Sequence, residues 1–384
     1  MTRDSIQELF TTHFGNKPTV IVRSPGRVNI IGEHTDYNGG FVLPGAIDKA
    51  VYLAVSLRND EEIYLRAQDL NENFSIQLSD LKPIGDTSWP NYILGAVAQL
   101  KKKGIELKGF NALLTSDLPQ GAGLSSSAAV ECATVFALNE LHKAGLDKLE
   151  MVKMAQKAEH EYAGVLCGIM DQFASMMGKK DHVVKLDCHS LEYEYVPLQL
   201  EGYKILLLNT NVKHSLASSE YNTRRKECEQ GVAWVKEHSP AVSTLQDINV
   251  QQLQEYVLPM SELVYRRCLF VVEEIERLET ACEELRQGHL QELGKKMFAT
   301  HEGLSKQYEV SCKELDFLVD FVKDNPAVIG ARMMGGGFGG CTINLVKEEA
   351  IDALLAAVKP AYEKATGLTL DYYIASIENG TELI

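Results

Sequence analysis

No basic run appears in this chain of 384 residues, and bases are outnumbered: 38 Lys and Arg stand against 53 Asp and Glu, a formal charge of −15. Such a surface repels nucleic acid and anionic membranes, so neither is expected as a partner. Long apolar runs are also missing. The opening MTRDSIQELFTTHFG holds no apolar stretch of signal-peptide length, and nothing later approaches the roughly 20 residues of a membrane span. A cytoplasmic location is the expectation. None of the eight cysteines, at 132, 167, 188, 228, 268, 282, 312 and 341, forms a C-x-x-C pair, and the ten histidines include no H-E-x-x-H. The cysteines read as small buried thiols in a reducing compartment, and no zinc site is expected. There is no internal repeat and no low-complexity tract.

What is present is enough apolar material, 45%, for a large core, and a length that suggests about two domains. Apolar periodicity predicts helices over 4–14, 90–103, 126–143, 148–163, 170–178, 312–323 and 349–364. It predicts strands over 19–24, 47–57, 61–67, 73–78, 109–115, 182–187, 192–197, 203–209, 341–346 and 370–378. Residues 216–306 read as mostly helical, with charges at i, i+4 spacing. The shift from mixed to helix-rich composition near 195–200 divides the chain into an N-terminal lobe, 1–195, and a C-terminal lobe, 196–384. The class is α+β.

Three segments carry chemistry. In LPQGAGLSSSAAVE, residues 118–131, Gly121 and Gly123 permit a close turn and three serines precede a run of good helix formers. A strand, a glycine loop and a helix N-terminus in that order expose backbone N–H groups that favour a phosphate. It is neither a Walker A loop nor a Rossmann fingerprint, whose third glycine is absent. The plainer alternative is an ordinary turn with a serine N-cap. In SPGRVNIIGEHTDYNGG, residues 24–40, Arg27, Glu33, His34, Asp36 and Tyr37 crowd a loop punctuated by glycines. Acceptors at that density suit the hydroxyls of a sugar, or else form a polar turn with surface ion pairs. In GARMMGGGFGGCTINLV, residues 330–346, five of the six residues 335–340 are glycine and an apolar strand follows. Such a run allows close approach to a ligand or to another chain segment. Separately, Glu159 and Asp171 lie among apolar neighbours in EHEYAGVLCGIMDQF, where a carboxylate can have a shifted pKa or hold a metal; each alone is more often a surface or capping residue.

Taken together, these segments resemble the galactokinases of the GHMP kinase superfamily over nearly the whole chain. GRVNIIGEHTDYNGG resembles the sugar-binding signature, LPQGAGLSSSAA the phosphate loop, and GGGFGG the third motif; CGIMDQF and HSLASSEYNTRRKECE are also similar to that family. The resemblance implies a two-lobed fold, with an N-terminal lobe of sheet and helices and a C-terminal lobe holding a ferredoxin-like β/α arrangement. The active site would lie in the cleft between them. It implies ATP-dependent phosphorylation of galactose at its C1 hydroxyl, the entry to galactose catabolism, with Mg²⁺ as cofactor and a monomer as the expected state. Glu33, His34 and Asp36 would hold sugar hydroxyls together with the backbone of Gly168, Asp171 and Tyr221. Arg27 would sit between the C1 oxygen and the γ-phosphate. Gly121, Ala122, Gly123, Leu124, Ser125, Ser126 and Ser127 would wrap the ATP phosphates, and Ser127 and Glu159 would hold magnesium. Trp89 is a candidate for the adenine pocket, or else a core or rim aromatic.

The reaction passes through a loose transition state, so positioning and electrostatics do most of the work. Arg27 would keep Asp171 ionised, and Asp171 would serve as the base or orient the sugar hydroxyl and take the proton late. Two rival functions use the same scaffold: an N-acetylgalactosamine kinase, and a sensor that binds galactose and ATP without chemistry. The uninterrupted serine loop, with Arg27 and Asp171 both present, speaks against the sensor. TDYNGG looks more like the galactose-specific form.

Overall fold

The computed structural model describes every residue except 86–87, 120 and 213–216, and all described side chains except those of 217–219. The first helix, Arg3–Phe14, starts at Thr2, whose hydroxyl accepts from the Ser5 N–H, and stops at Gly15 in a left-handed turn. It buries Ile6 and Phe10 against Ile21, Ala50, Tyr52 and Leu113 of a six-stranded sheet. The strands of that sheet run Glu382–Leu383, Val20–Asn29, Pro44–Leu57, Phe110–Ser116, Glu62–Ala67 and Glu72–Gln77 in spatial order. All neighbours are antiparallel except Glu62–Ala67 against Phe110–Ser116. After Asp48 and Lys49 the strand Pro44–Leu57 is apolar from Ala50 to Val55, because both of its faces are covered there. The opposite face carries the helix Ser126–His142, which packs among the helices Pro90–Lys102, Lys148–Ala158 and Met170–Met177. A small sheet of Phe41–Val42, His182–Asp187 and Tyr193–Pro197 follows.

The second large sheet is antiparallel, in the order Val328–Met333, Cys341–Lys347, Tyr203–Asn209, Asp371–Ala375. Numbered along the chain that is 2-3-1-4, the ferredoxin-like order, and it bears out the α+β class and the β/α arrangement expected for the second lobe. The helices Lys313–Lys323 and Ile351–Thr366 bury their apolar stripes on it through Leu318, Val322, Leu354 and Val358. Ala217–His238, Glu262–Arg286 and Leu290–Lys306 form the helical block expected over 216–306.

Three departures from expectation matter for the site. The first strand does not stop at residue 24 but runs to Asn29, through a bulge between Pro25 and Arg27. The helix expected over 148–163 changes at Ala158 into a π-turn, Glu159–Ala163, which ends at the left-handed Gly164. The strand Val328–Met333 was not expected, because its glycine and arginine hide the period; all six of its residues are buried. The chain end also returns to the first sheet, pairing Glu382 with Arg23 and Leu383 with Val22.

Candidate active site

The bulged strand and the serine loop meet at Gly26. A Cβ there would lie 2.4 Å from Leu118 Cδ2 and 2.6 Å from the Leu124 carbonyl oxygen. Only glycine lets the two backbones approach so closely. The Arg27 N–H then donates to the Leu124 carbonyl at 3.2 Å. The Arg27 guanidinium, 5% exposed, forks onto Asp171, with Nε to Oδ1 at 3.0 Å and Nη2 to Oδ2 at 3.2 Å. Its remaining terminal nitrogen donates to the Gly123 carbonyl. The Ser125 hydroxyl donates to the same Asp171 Oδ2. One carboxylate thus ties together the first strand, the serine loop and the helix Met170–Met177.

Ser125 has φ +58°, a left-handed conformation that costs about 1–3 kcal/mol outside glycine. It occupies the N-cap position of the helix Ser126–His142, yet its side chain makes no capping bond. The hydroxyl that would satisfy an ordinary turn is spent on Asp171, which leaves the N–H groups at the helix start for an anion. Within the loop, Ala122 and Leu124 are buried in the core, whereas Gly121, Gly123 and Ser126 face solvent. The first two anchor the loop through their side chains and can offer a ligand only backbone.

A group of oxygens lies behind the loop. The π-turn brings Glu159 inward, where its carboxylate takes hydrogen bonds from Gln172 Nε2 at 2.6 Å and from the Cys167 thiol at 3.3 Å, with the Ser127 hydroxyl beside it. Gln172 Nε2 also donates to Glu131 Oε2 at 3.1 Å. Burial raises the pKa of Glu159, and the charge of Asp171 adds to it; burial raises Glu131 further. Glu131 Oε1 and Gln172 Oε1 are buried without a hydrogen-bond partner. Among the described residues no cluster of three or more His, Cys, Asp or Glu could hold a metal alone. A hydroxyl and a carboxylate as the only protein donors fit Mg²⁺, which keeps waters and takes phosphate oxygens for the rest of its octahedron.

The other end of the cleft is built from the loop after the first strand. Glu33, 4% exposed, accepts from Arg332 Nη1 at 2.6 Å. Arg332 is fully buried and spends its other donors on the carbonyls of Ile30, Met333 and Asn29. His34 has φ +62°, and its Nδ1 lies 2.8 Å from the Tyr37 hydroxyl, while Nε2 is buried with no partner. Burial, with Arg224 and Arg332 nearby, lowers its pKa to about 3, so the ring is neutral at pH 7. Burial raises Asp36 to about 7, and the charges of Asp171 and Glu33 add to the effect. A Cβ at Gly168 would lie 1.9 Å from Asp36 Oδ2, so the strap 164–168 can cross this carboxylate only with glycine there.

Arg27, Glu33, His34, Asp36, Glu159, Gly168, Asp171 and Tyr221 all line one cleft of about 470 Å³, together with Asn222, the strap 164–168 and Gly335, Gly336 and Gly337. Ser125 joins it through its bond to Asp171, and Ser127 lies beside Glu159. Trp89 stands apart. It precedes the helix Pro90–Lys102, packs against the core, and donates its indole N–H to Glu72 at 2.7 Å. Residue-by-residue reading missed Arg332, Glu131 and Gln172. All three stood inside segments already singled out, and a lone arginine in an apolar strand was the one available signal.

Family models for the galactokinase galactose-binding signature, the GHMP kinases N terminal domain and the GHMP kinases C terminal region match residues 8–57, 91–179 and 281–364. The sequence is 42% identical over 363 residues to a galactokinase of Thermotoga petrophila, covering 94% of this chain and 99% of that one. It is 40% identical over 390 residues to a galactokinase of Clostridium perfringens, covering both completely. The structure of Lactococcus lactis galactokinase complexed with galactose superposes with a TM-score of 0.94 at 34% identity, covering 99% of each chain. The Methanococcus jannaschii mevalonate kinase, at 21% identity and a TM-score of 0.63, shares the fold.

Proposed function

The chain belongs to the galactokinase family of the GHMP kinases, and from that premise we propose how its cleft transfers the γ-phosphoryl group of ATP to the C1 hydroxyl of galactose. The products are galactose 1-phosphate and ADP. The observation that carries this reading is the shared Asp171 carboxylate, held by Arg27 from the sugar-signature strand and by Ser125 from the serine loop. Nucleotide and hexose bound on those two segments meet at that point.

The uncapped helix start and the N–H groups of 121–127 hold the ATP phosphates. Ser127 and Glu159 would hold Mg²⁺, which when bound would neutralise phosphate charge. Arg27, anchored by Asp171 and by the Gly123 carbonyl, places positive charge where the migrating phosphoryl carries its negative charge. The sugar O1 forms the new bond to phosphorus as the bond to the bridging oxygen of ADP breaks. Asp171 orients the sugar hydroxyl through the part of its carboxylate that faces the cleft. With three hydrogen bonds already accepted, Asp171 acts first by orienting the hydroxyl and takes the O1 proton late, when bond formation has made that proton acidic.

Glu33, His34, Asp36, Tyr221 and the Gly168 backbone hold the remaining hydroxyls, with Glu33 fixed in direction by Arg332. Trp89, beside the edge strand Glu72–Gln77, supplies an aromatic face toward the adenine. The eight unpaired cysteines suit action in a reducing cytoplasm, on free galactose and ATP, by a monomer. A coupled ADP-release assay over a panel of hexoses tests the reading. Galactose should be turned over at least ~100-fold faster than glucose in kcat/KM, because buried polar groups left unmatched reject the wrong hydroxyl. Equal values for the two sugars would end it.

A further inference from the structure

A row of buried hydrogen-bonding groups leads from His34 at the sugar end of the cleft into the helical block, and beyond His34 none of its members has a part in the reaction. It starts at His34 Nδ1, which lies 2.8 Å from the Tyr37 hydroxyl. That hydroxyl lies 2.9 Å from the Tyr308 hydroxyl, which lies 3.4 Å from Cys228 Sγ. Cys268 stands beside Cys228 at the far end. Tyr308, Cys228 and Cys268 are fully buried, and the Tyr308 carbonyl is pinned by Arg224 Nε at 2.7 Å. The rings of Tyr308 and Tyr221 lie 5.0 Å and 5.4 Å from the His34 ring, so the imidazole cannot swing away. At its other edge Nε2 is buried without a hydrogen bond of good geometry and belongs to a residue that lines the cleft; the Gly336 backbone beside the ring favours a hydrogen on the imidazole.

A neutral imidazole carries one hydrogen, and each phenol has one to give. The row therefore has two settings. Either every hydrogen points away from His34, and Nε2 is a bare acceptor, or every hydrogen points toward it, and Nε2 carries the hydrogen. The far end decides between them. A thiol is a weak acceptor for a phenol, whereas an imidazole nitrogen is a strong one, so the hydrogens run toward His34.

We propose that Tyr308, acting through Tyr37, is a positioning residue that holds His34 in its Nε2–H tautomer and so presents a hydrogen-bond donor to one hydroxyl of the bound hexose. This rests on the hexose-kinase reading for the identity of the ligand, but the tautomer itself does not.

Two measurements test it. In ¹⁵N-histidine spectra of the free enzyme at pH 7, assigned by loss of the signal in His34→Gln, His34 should show a protonated Nε2 and a bare Nδ1. A protonated Nδ1 would overturn the proposal even if galactose is the substrate; the expected spectrum would sustain it even if another hexose is. In Tyr308→Phe the His34 signals should move toward a mixture of tautomers. The KM for galactose should rise about tenfold, with kcat and the KM for ATP within about twofold, as for one hydrogen bond made equally in ground and transition states. An unchanged galactose KM in that variant, or an equal loss in kcat, also overturns it. Cys228→Ser, which keeps a hydrogen donor at the end of the row, should retain the parent KM.

Discussion

On the proposed function, the two ends of the cleft solve binding in different ways. The phosphate end is made of backbone: a glycine loop partly open to solvent, a helix start with no side-chain cap, and a serine held in a left-handed turn. The hexose end is made of side chains, nearly all buried and already hydrogen-bonded: Glu33 to Arg332, His34 to Tyr37, and Asp36 under the strap at Gly168. Every nucleotide presents the same phosphates, so amides at a helix start suffice there. Hexoses differ only in the direction of a hydroxyl, and telling them apart needs acceptors and donors that cannot turn to suit the wrong one. The two ends meet at Arg27 and Asp171, and the comparison can be broken at that junction or on either side of it.

The largest effects belong to the junction. Asp171→Ala should lower kcat by about 10³ or more while ATP still binds, and Arg27→Ala should lower kcat by about 10²–10³ with a much smaller change in ATP affinity. Steady-state kinetics beside nucleotide titration would check both, and near-normal turnover in either variant removes that residue from the mechanism. Next comes the hexose end. Arg332→Met leaves the Glu33 carboxylate buried and unpaired, which should cost about 3–5 kcal/mol in urea unfolding. A loss below about 1 kcal/mol would mean that Glu33 is not held by this arginine.

A crossed pair of glycine substitutions is expected to be smaller and more informative. Gly26→Ala forces the serine loop off the first strand, so it should raise the KM for ATP by about tenfold or more and leave galactose binding alone. Gly168→Ala drives a methyl into Asp36 and should do the reverse. Equal damage to both substrates from either change would show that the ends are not separable.

The smallest effect is a pH dependence. Asp36 keeps its proton up to about pH 7 in the fold against an ordinary 3.8. The folded state is favoured by this group below pH 3.8 and loses that advantage as the pH rises toward 7. Asp36→Asn cannot ionise, so its Tm should exceed the parent's by about 2 °C or more at pH 8, with the gap closing toward pH 4. A gap independent of pH would show that Asp36 ionises freely. His34, lowered to about 3 against an ordinary 6.5, removes stability as the pH falls below 6.5, because only the unfolded ring then takes up a proton; it does so equally in parent and variant and leaves the gap unchanged.

Most of the helices and strands were legible because burial imposes a period on the sequence. The legible parts of the candidate cleft were those in which several of its residues fall within one short segment, as with Glu33, His34 and Asp36. Where the reading failed, local signals conflicted. Pro25 and Gly26 look like a turn, but the bulge carries the strand through them to Arg27. Residues 159–163 have helical composition, but the π-turn rotates Glu159 toward Gln172 and Ser127.

By itself the sequence determined the α+β class, the loop that offers backbone N–H groups, and the cluster of acceptors near the start of the chain. Each of these is set by residues a few positions apart, and local sterics and solvation act over that range. Only the tertiary structure decided which groups face one another: Arg27 with an aspartate 144 residues on, Glu33 with an arginine 299 residues on, and Tyr37 with a tyrosine 271 residues on. Those pairings arise because two separately packed sheets and a helical block close on one cleft. A buried charge or hydroxyl survives there only where a partner from elsewhere in the chain arrives to meet it.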